Sequence, residues 1–511
     1  MASFVMDVYA ADTKKIWFRG SILEAFKKAK KDKKPMFLYW GAVWCPSCNE
    51  VKNQVFNHPR FRHLMSDVVP VYLDGDSVAA QEWGEQLKVA AYPTLLLLNE
   101  MGQEVLRIAE AVNIYEFERA FRSARAIKEP IRKLIATAIT GKASVAAWYA
   151  LAYAHWDEVN QGREFTDLEK LQLSWELYKK TPGELKEVKA LFATKLLLEA
   201  SSNKPRERKM DTTALHILLK TVGQKAFQIL ISSVFNEPNS INACRSTIVF
   251  KADEILTWLR PFLSKDEVPL LAKKWEEAVL ILRNNASHSA DTRLWASYVP
   301  IELFRFSKGK KARIPLQLYK QVKDAVAIGD KESKTASERQ AVISGAAYLL
   351  QQIKEWDNAE SLLTKELKTS LAPWYYYLAL ARLEERRGRK NQALIWSRKS
   401  WQSVRGTATK IQYLVSDLLI SLRLAPENIQ LQVQGLKRYY NAVFSVKDGF
   451  LGRNKLRALK LAKAFGGQAK TKEIQRLVSS YAPRCEQINE KMQPTCRQHF
   501  RFFLDEKNRV L

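Results

Sequence analysis

The sequence predicts an α/β domain at the N-terminus followed by a much longer all-α region. Three observations lead there. An apolar run at residues 36–40 (MFLYW) is followed by Trp44-Cys45-Pro46-Ser47-Cys48 and then by the amphipathic segment 49–56, a strand-to-helix junction that carries a cysteine pair. Further apolar runs at 68–74 and 91–98 are separated by a helical stretch, the alternation that builds an α/β layer. Beyond residue 127, amphipathic segments of about 12–18 residues follow one another with no strand alternation. At ordinary domain size, 511 residues make about three domains. The divisions are a tail or export-signal remnant at 1–11, the α/β domain at 12–127, a helical domain at 128–310, and a repeat-like helical domain with a C-terminal cysteine pair at 311–511.

Within the first domain, Ile16-Trp17-Phe18 reads as a short strand. A helix follows at 21–29, with Ile22, Ala25, Phe26 and Ala29 at helical spacing and Ser21 as its cap. The basic run 27–34 is the solvated end of that helix plus a turn, and Pro35 opens the central strand at 36–40. After the cysteine helix comes a second buried strand at 68–74, a turn at Gly75-Asp76 and a helix at 78–87. Pro93 stands at the start of the run 91–98, so the ladder there lacks one donor. Residues 99–103 turn the chain into a strand at 104–108, and a helix at 114–127 closes the domain.

Unpaired N–H groups at a helix start favour negative charge, so a thiol at this junction ionises easily. Two intervening residues put both sulfurs within reach of one disulfide, and a C-x-x-C so placed reads as a redox motif. The competing readings are an inert relic and a zinc site. Zinc needs about four ligands; no second C-x-x-C is present, and His58 and His63 lie beyond the predicted helix.

The order β-α-β-α-β-β-α with C-x-x-C after the central strand resembles the thioredoxin fold over residues 12–127. The details are most similar to the periplasmic thioredoxin-like domains of thiol–disulfide interchange proteins. They are the Ala-Phe-Lys-Lys-Ala-Lys helix, Trp44-Cys45-Pro46-Ser47-Cys48, Val55-Phe56-Asn57-His58-Pro59, Tyr72-Leu73-Asp74 and Tyr92-Pro93-Thr94. The resemblance implies that Cys45 is the attacking thiol and Cys48 the resolving thiol. It also implies that Pro93 sits in cis against them and that Trp44, Tyr92 and Pro93 hold the substrate. No cofactor and no metal are implied. Two positions depart from the pattern. Tyr39 stands where many thioredoxins carry a buried Asp, and Lys52 where some interchange domains carry an acid. Glu50 lies on a different helical face from Cys48. Cys45, Cys48 and Lys52 are spaced i, i+3 and i+7, so Lys52 is expected to favour the thiolate and make the disulfide more oxidising than thioredoxin's.

In the helical region, breaks fall at 181–183, 201–208, 236–239, 284–291, 307–315 and 329–336. Trp148, Trp156, Trp175, Trp258, Trp275 and Trp295 are expected to pack cores. A shift of 34 residues aligns Ala347, Leu350, Trp356 and Ala359 with Ala381, Glu384, Lys390 and Ala393. Tyr377, Leu380, Ala381, Gly388 and Ala393 fit a helix–turn–helix repeat, so residues 340–405 resemble tetratricopeptide repeats. Glu384 occupies an aromatic-type slot, and at the next step Glu427 replaces the expected Ala. Ordinary α-hairpins are the alternative. Cys485 and Cys496, bracketed by Pro483 and Pro494, are expected to form a disulfide in an oxidising compartment. His499 suggests a metal site but lacks enough companions. Cys244 remains as the odd thiol, buried and inert.

The formal charge is +28, and residues 1–127 hold 17 basic against 15 acidic side chains, so +26 lies in the remainder. A solvated basic surface explains this excess; an anionic envelope surface is a possible partner, and no nucleic acid is expected in the absence of a recognition motif. Val8-Tyr9-Ala10 suits a signal cleavage site, though no basic segment precedes it and Asp7 interrupts it. A periplasmic or otherwise exported location is expected, with the cytoplasm as alternative. The expected function is a thiol–disulfide oxidoreductase acting on protein thiols or disulfides with an unidentified redox partner. The helical region would recruit a protein partner. The alternative is a non-catalytic scaffold whose repeats bind partners and whose α/β domain is a docking module.

Overall fold

The computed structural model describes residues 16–89, 91–127, 129, 131–154, 165–202, 212–466 and 471–504. The proposed signal remnant and Trp156 lie outside them. Helix α1 (Ile22–Asp32) starts from a capping box: Glu24 N–H donates to Ser21 Oγ at 3.2 Å, and Ser21 N–H to Glu24 Oε2 at 2.7 Å. Lys33, in the left-handed region at φ 50°, ends it. Strand β1 (Met36–Gly41) leads to α2 (Pro46–Val51), which runs into a π-helical turn, Lys52–Phe56. Then come α3 (Pro59–Met65), β2 (Val69–Asp74), α4 (Val78–Gln86), β3 (Thr94–Leu98), β4 (Glu104–Ile108) and α5 (Ile114–Arg125).

The four strands form one sheet in the order β2-β1-β3-β4. Val69 N–H donates to Pro35 O and Gly75 N–H to Gly41 O; the same offset at both places is the signature of a parallel pair. β3 and β4 are antiparallel, with a register shift between Leu97 and Leu98. The sheet is therefore mixed, and the α/β fold with an all-helical continuation is as expected.

Residues 16–18 correct the reading of a first strand. They form a turn and bend, tied to the sheet by Phe18 N–H donating to Pro70 O at 2.7 Å. The aromatic character that suggested a strand serves packing instead: Trp17 lies 5.2 Å from Phe56 and 6.1 Å from Phe37. Helix α2 also begins earlier than the pattern suggested, because Pro46 suits a first helical position, where no N–H is needed. Cys48 is thereby placed in the first turn. β3 starts only after Pro93, as its missing donor requires.

The chain packs as two compact units. The first comprises Met1–Tyr39, Asn49–Val71 and Leu95–Lys354; the second comprises Trp40–Cys48, Tyr72–Thr94 and Glu355–Leu511. In the first unit, Phe37, Phe56, Phe61, Phe117 and Phe121 build an aromatic core that continues into the helices from Ile131 onward. Trp148 and Trp275 are buried within it, and Trp175, Trp258 and Trp295 pack against it partly exposed. Outer-face residues of α2 and its π-turn are held by distant serines. Ser289 Oγ donates to Glu50 Oε1 at 2.7 Å, and Ser337 Oγ lies 3.0 and 2.9 Å from Asn49 Oδ1 and Asn53 Oδ1.

The second unit contains the helices Trp356–Glu366, Pro373–Arg386, Lys390–Ser403, Thr407–Leu424, Ile429–Phe444, Gly452–Gly466, Lys472–Tyr481 and Gln493–Leu504. Pro373–Arg386 and Lys390–Ser403 pack closely, with Ala381, Ala393, Ser397 and Ser400 fully buried. Small residues allow that approach, and Gly388 at φ 78° turns the chain between them. Glu384, the residue that breaks the repeat pattern, is fully buried; Arg387 Nη1 donates to it at 3.0 Å and Arg389 Nη1 at 3.5 Å. A charge cluster thus fills a slot where a repeat would place an aromatic ring.

Candidate active site

Cys45 follows a turn in which its N–H donates to Ala42 O at 3.1 Å, and Pro46 then starts α2. The Cys48 N–H, in the first turn, donates to Cys45 Sγ at 3.1 Å. The helix start therefore points a backbone N–H at the sulfur, the arrangement that stabilises a thiolate. The two sulfurs are disulfide-bonded at 2.20 Å, with Cα atoms 5.2 Å apart. Cys45 is 4% and Cys48 3% exposed.

Tyr92 and Pro93 form the opposite wall. The bond between them is cis, and the Tyr92 carbonyl oxygen lies 3.6 Å from Cys45 Sγ. The Tyr92 hydroxyl donates to Gly75 O and accepts from Gln81 Nε2, both at 3.4 Å. Burial pushes this phenol up to about 12. Trp44 lies 6.5 Å from the Tyr92 ring and packs against an apolar cluster that includes Ala372, Trp374, Leu378 and Tyr413. The structure thus brings Trp44, Cys45, Cys48 and Tyr92 into one cluster, with Pro93 beside them in the chain.

The other predicted residues fall elsewhere. Lys52 is exposed on the π-helical turn, where water and salt screen a charge. Tyr39 is buried edge-on to Phe56 at 4.7 Å, so packing occupies the position of the missing acid. Glu50 is buried, and burial raises its pKa against the opposing hydrogen bond from Ser289. Cys485 and Cys496 are disulfide-bonded at 1.99 Å, between a 3₁₀ turn, Ala482–Gln487, and the last described helix. Cys244 is a buried free thiol whose pKa burial pushes up. His499 is a core histidine: Nδ1 lies 2.8 Å from Ala458 O and Nε2 3.2 Å from the Tyr440 hydroxyl. Burial brings it down to about 4. Among the described residues no cluster of three His, Cys, Asp or Glu could hold a metal.

What sequence reasoning missed comes from the far end of the chain. The Arg453 guanidinium lies over both site rings, 4.7 Å from the Trp44 centroid and 4.6 Å from that of Tyr92. α4 and its preceding turn cap two helices that lack caps of their own. Thr409 N–H donates to Asp76 Oδ1 at 2.8 Å, serving Thr407–Leu424, whose own cap is Gly406. Gly452 N–H donates to Glu85 Oε2 at 3.0 Å and Arg453 N–H to Gln81 Oε1 at 3.2 Å, serving Gly452–Gly466. Lys455 Nζ adds an ion pair to Glu85 at 2.6 Å. Only the glycines at 406 and 452 hinted at uncapped helix starts; nothing local named the partners.

Residues 22–125 match the family model described as a thioredoxin-like domain. Among solved structures, a chain described as DsbH oxidoreductase is similar at 22% identity, covering 22% of this chain and 86% of that one, with a TM-score of 0.20. No curated protein matches the chain. Residues 22–125 are a thioredoxin-like domain.

Proposed function

We propose that this protein is a thiol–disulfide oxidoreductase. The observation that carries the reading is the Cys45–Cys48 pair at a helix start, with a helix N–H on Cys45 Sγ and the Tyr92-Pro93 wall opposite. In the reducing direction the Cys45 thiolate attacks one sulfur of a substrate disulfide. The substrate bond breaks, its other sulfur leaves as a thiolate and takes a proton, and a mixed disulfide remains. Cys48 loses its proton and attacks Cys45 Sγ, releasing the second substrate thiol and closing the Cys45–Cys48 bond. Oxidation of a substrate dithiol is the same sequence reversed. The proposal extends to an exported location, to protein disulfides as substrates, and to the helical region as the surface that recruits a partner.

Near-complete burial of both cysteines also suits a scaffold in which the α/β domain only docks. Turnover separates the two. Full-length protein with Cys48→Ser is expected to accumulate a mixed disulfide at Cys45 that dithiothreitol releases, and the unsubstituted protein to reduce insulin catalytically. Absence of both the adduct and turnover would leave the scaffold reading standing.

A further inference from the structure

We propose that Arg453, with Arg457 one turn further along its helix, forms an anion subsite beside the Cys45–Cys48 disulfide that favours disulfides carrying a carboxylate near the sulfur. The inference rests on the oxidoreductase reading and deepens it. Arg453 is held by cation–π contact with Trp44 and Tyr92, the two rings that flank Cys45. Its Nη1 is buried with no hydrogen-bond partner. Arg457 follows one turn later on the same helix, and Arg382 is exposed on Pro373–Arg386. Among the described residues none of the three makes an ion pair. Burial holds the Arg453 and Arg457 guanidiniums below their ordinary range; the charge of Arg457 adds to this at Arg453, and that of Arg382 at Arg457. The acid that Arg453 senses is Asp76, whose Oδ1 already accepts from Thr409 N–H.

Two half-buried like charges one turn apart, Arg453 and Arg457, are costly to keep unless an anion offsets them. Packing alone would be served as well by Met or Gln. A guanidinium is suited to bidentate recognition of a carboxylate. Trp374, in the apolar cluster with Trp44, adds a buried Nε1 donor without a partner. The subsite lies next to the reacting sulfur, because the Tyr92 ring under Arg453 packs in one cluster with Cys45. The reaction is that given above, with the carboxylate-bearing disulfide reduced to two thiols as Cys45 and Cys48 are oxidised.

The test compares rates of oxidation of the reduced full-length protein by glutathione disulfide, neutral 2-hydroxyethyl disulfide and cationic cystamine. The native protein is expected to prefer the disulfides in that order, with the preference shrinking as salt is raised. Arg453→Gln is expected to cut the glutathione-to-cystamine rate ratio roughly tenfold or more, the effect of losing one charge-assisted hydrogen bond. Arg453→Lys, which keeps the charge but loses the bidentate fork, should retain only part of the ratio, and Arg457→Gln should lower it to a lesser extent than Arg453→Gln. Circular dichroism matched to the native protein checks the fold of each variant. A ratio unchanged by salt and by both Gln substitutions overturns the subsite while leaving the oxidoreductase reading intact. Failure of all three disulfides to oxidise Cys45, with both thiols alkylatable, overturns that reading and the subsite with it.

Discussion

Gly75 has no side chain because the Tyr92 ring occupies the space: a Cβ there would lie 2.2 Å from the ring. Gly75→Ala is therefore expected to force Tyr92 off the Cys45 wall and to cost roughly 1–3 kcal/mol, the usual penalty of overpacking. Thermal unfolding measures it, and an unchanged melting temperature would show that the ring yields freely. His499 carries a pH dependence. Its folded pKa is about 4, against an ordinary 6.5, because of burial. The unfolded chain thus binds the proton first as pH falls, so stability declines from about 6.5 down to about 4 and levels off below, by up to about 3 kcal/mol in all. His288, also lowered to about 4, acts in the same direction. Melting curves of native protein and His499→Gln should differ in slope across that window, and parallel curves would remove His499 as the cause.

Element by element, much of the second unit depends on helix starts and on one covalent link. Thr407–Leu424 has a glycine at its cap, and a Cβ at Gly406 would lie 2.4 Å from the Asp76 carboxyl carbon. The acid is thus close enough to replace a local cap. Asp76→Ala is expected to cost about 1 kcal/mol, as loss of an ordinary N-cap does, and to speed amide exchange at Thr409. Exchange left unchanged there would show that water serves the helix start equally well. The Cys485–Cys496 bridge closes a short loop between the 3₁₀ turn and Gln493–Leu504. Its loss in a Cys485→Ser, Cys496→Ser protein should cost roughly 2–3 kcal/mol in the chain-entropy model. In native-host material both cysteines should resist alkylation until reductant is added; free thiols there would count against an oxidising compartment.

At the scale of the whole molecule, Trp40–Cys48 and Tyr72–Thr94 belong to the compact unit that contains Glu355–Leu511. The cysteine site and the C-terminal helices are parts of one packed body. Residues 12–127 alone would lose the partners of Trp44, Asp76, Gln81 and Glu85. That fragment is expected to melt below the full chain and to react faster with a neutral alkylating reagent after reduction. Equal reactivity of fragment and full chain would mean that the C-terminal helices do not shield Cys45.

The sequence by itself determined whatever depends on neighbours a few residues apart. The Ser21–Glu24 cap, the run 36–40, the C-x-x-C at a helix start and the missing donor at Pro93 are local patterns, and each set its element wherever the chain folded. Where a local pattern was too short to decide, as at residues 16–18, packing turned an apparent strand into an aromatic plug. Tertiary structure alone decided who meets whom across hundreds of residues. Asp76 to Thr409, Glu85 to Gly452 and Arg453 to Trp44 leave no trace in composition or spacing, because a charge or a cap is read by position in space. The same holds for Glu384, which departs from the expected repeat pattern and around which Arg387 and Arg389 close. The chemistry of the sulfurs was thus legible in five consecutive residues, while what can reach them depends on helices that begin three hundred residues later.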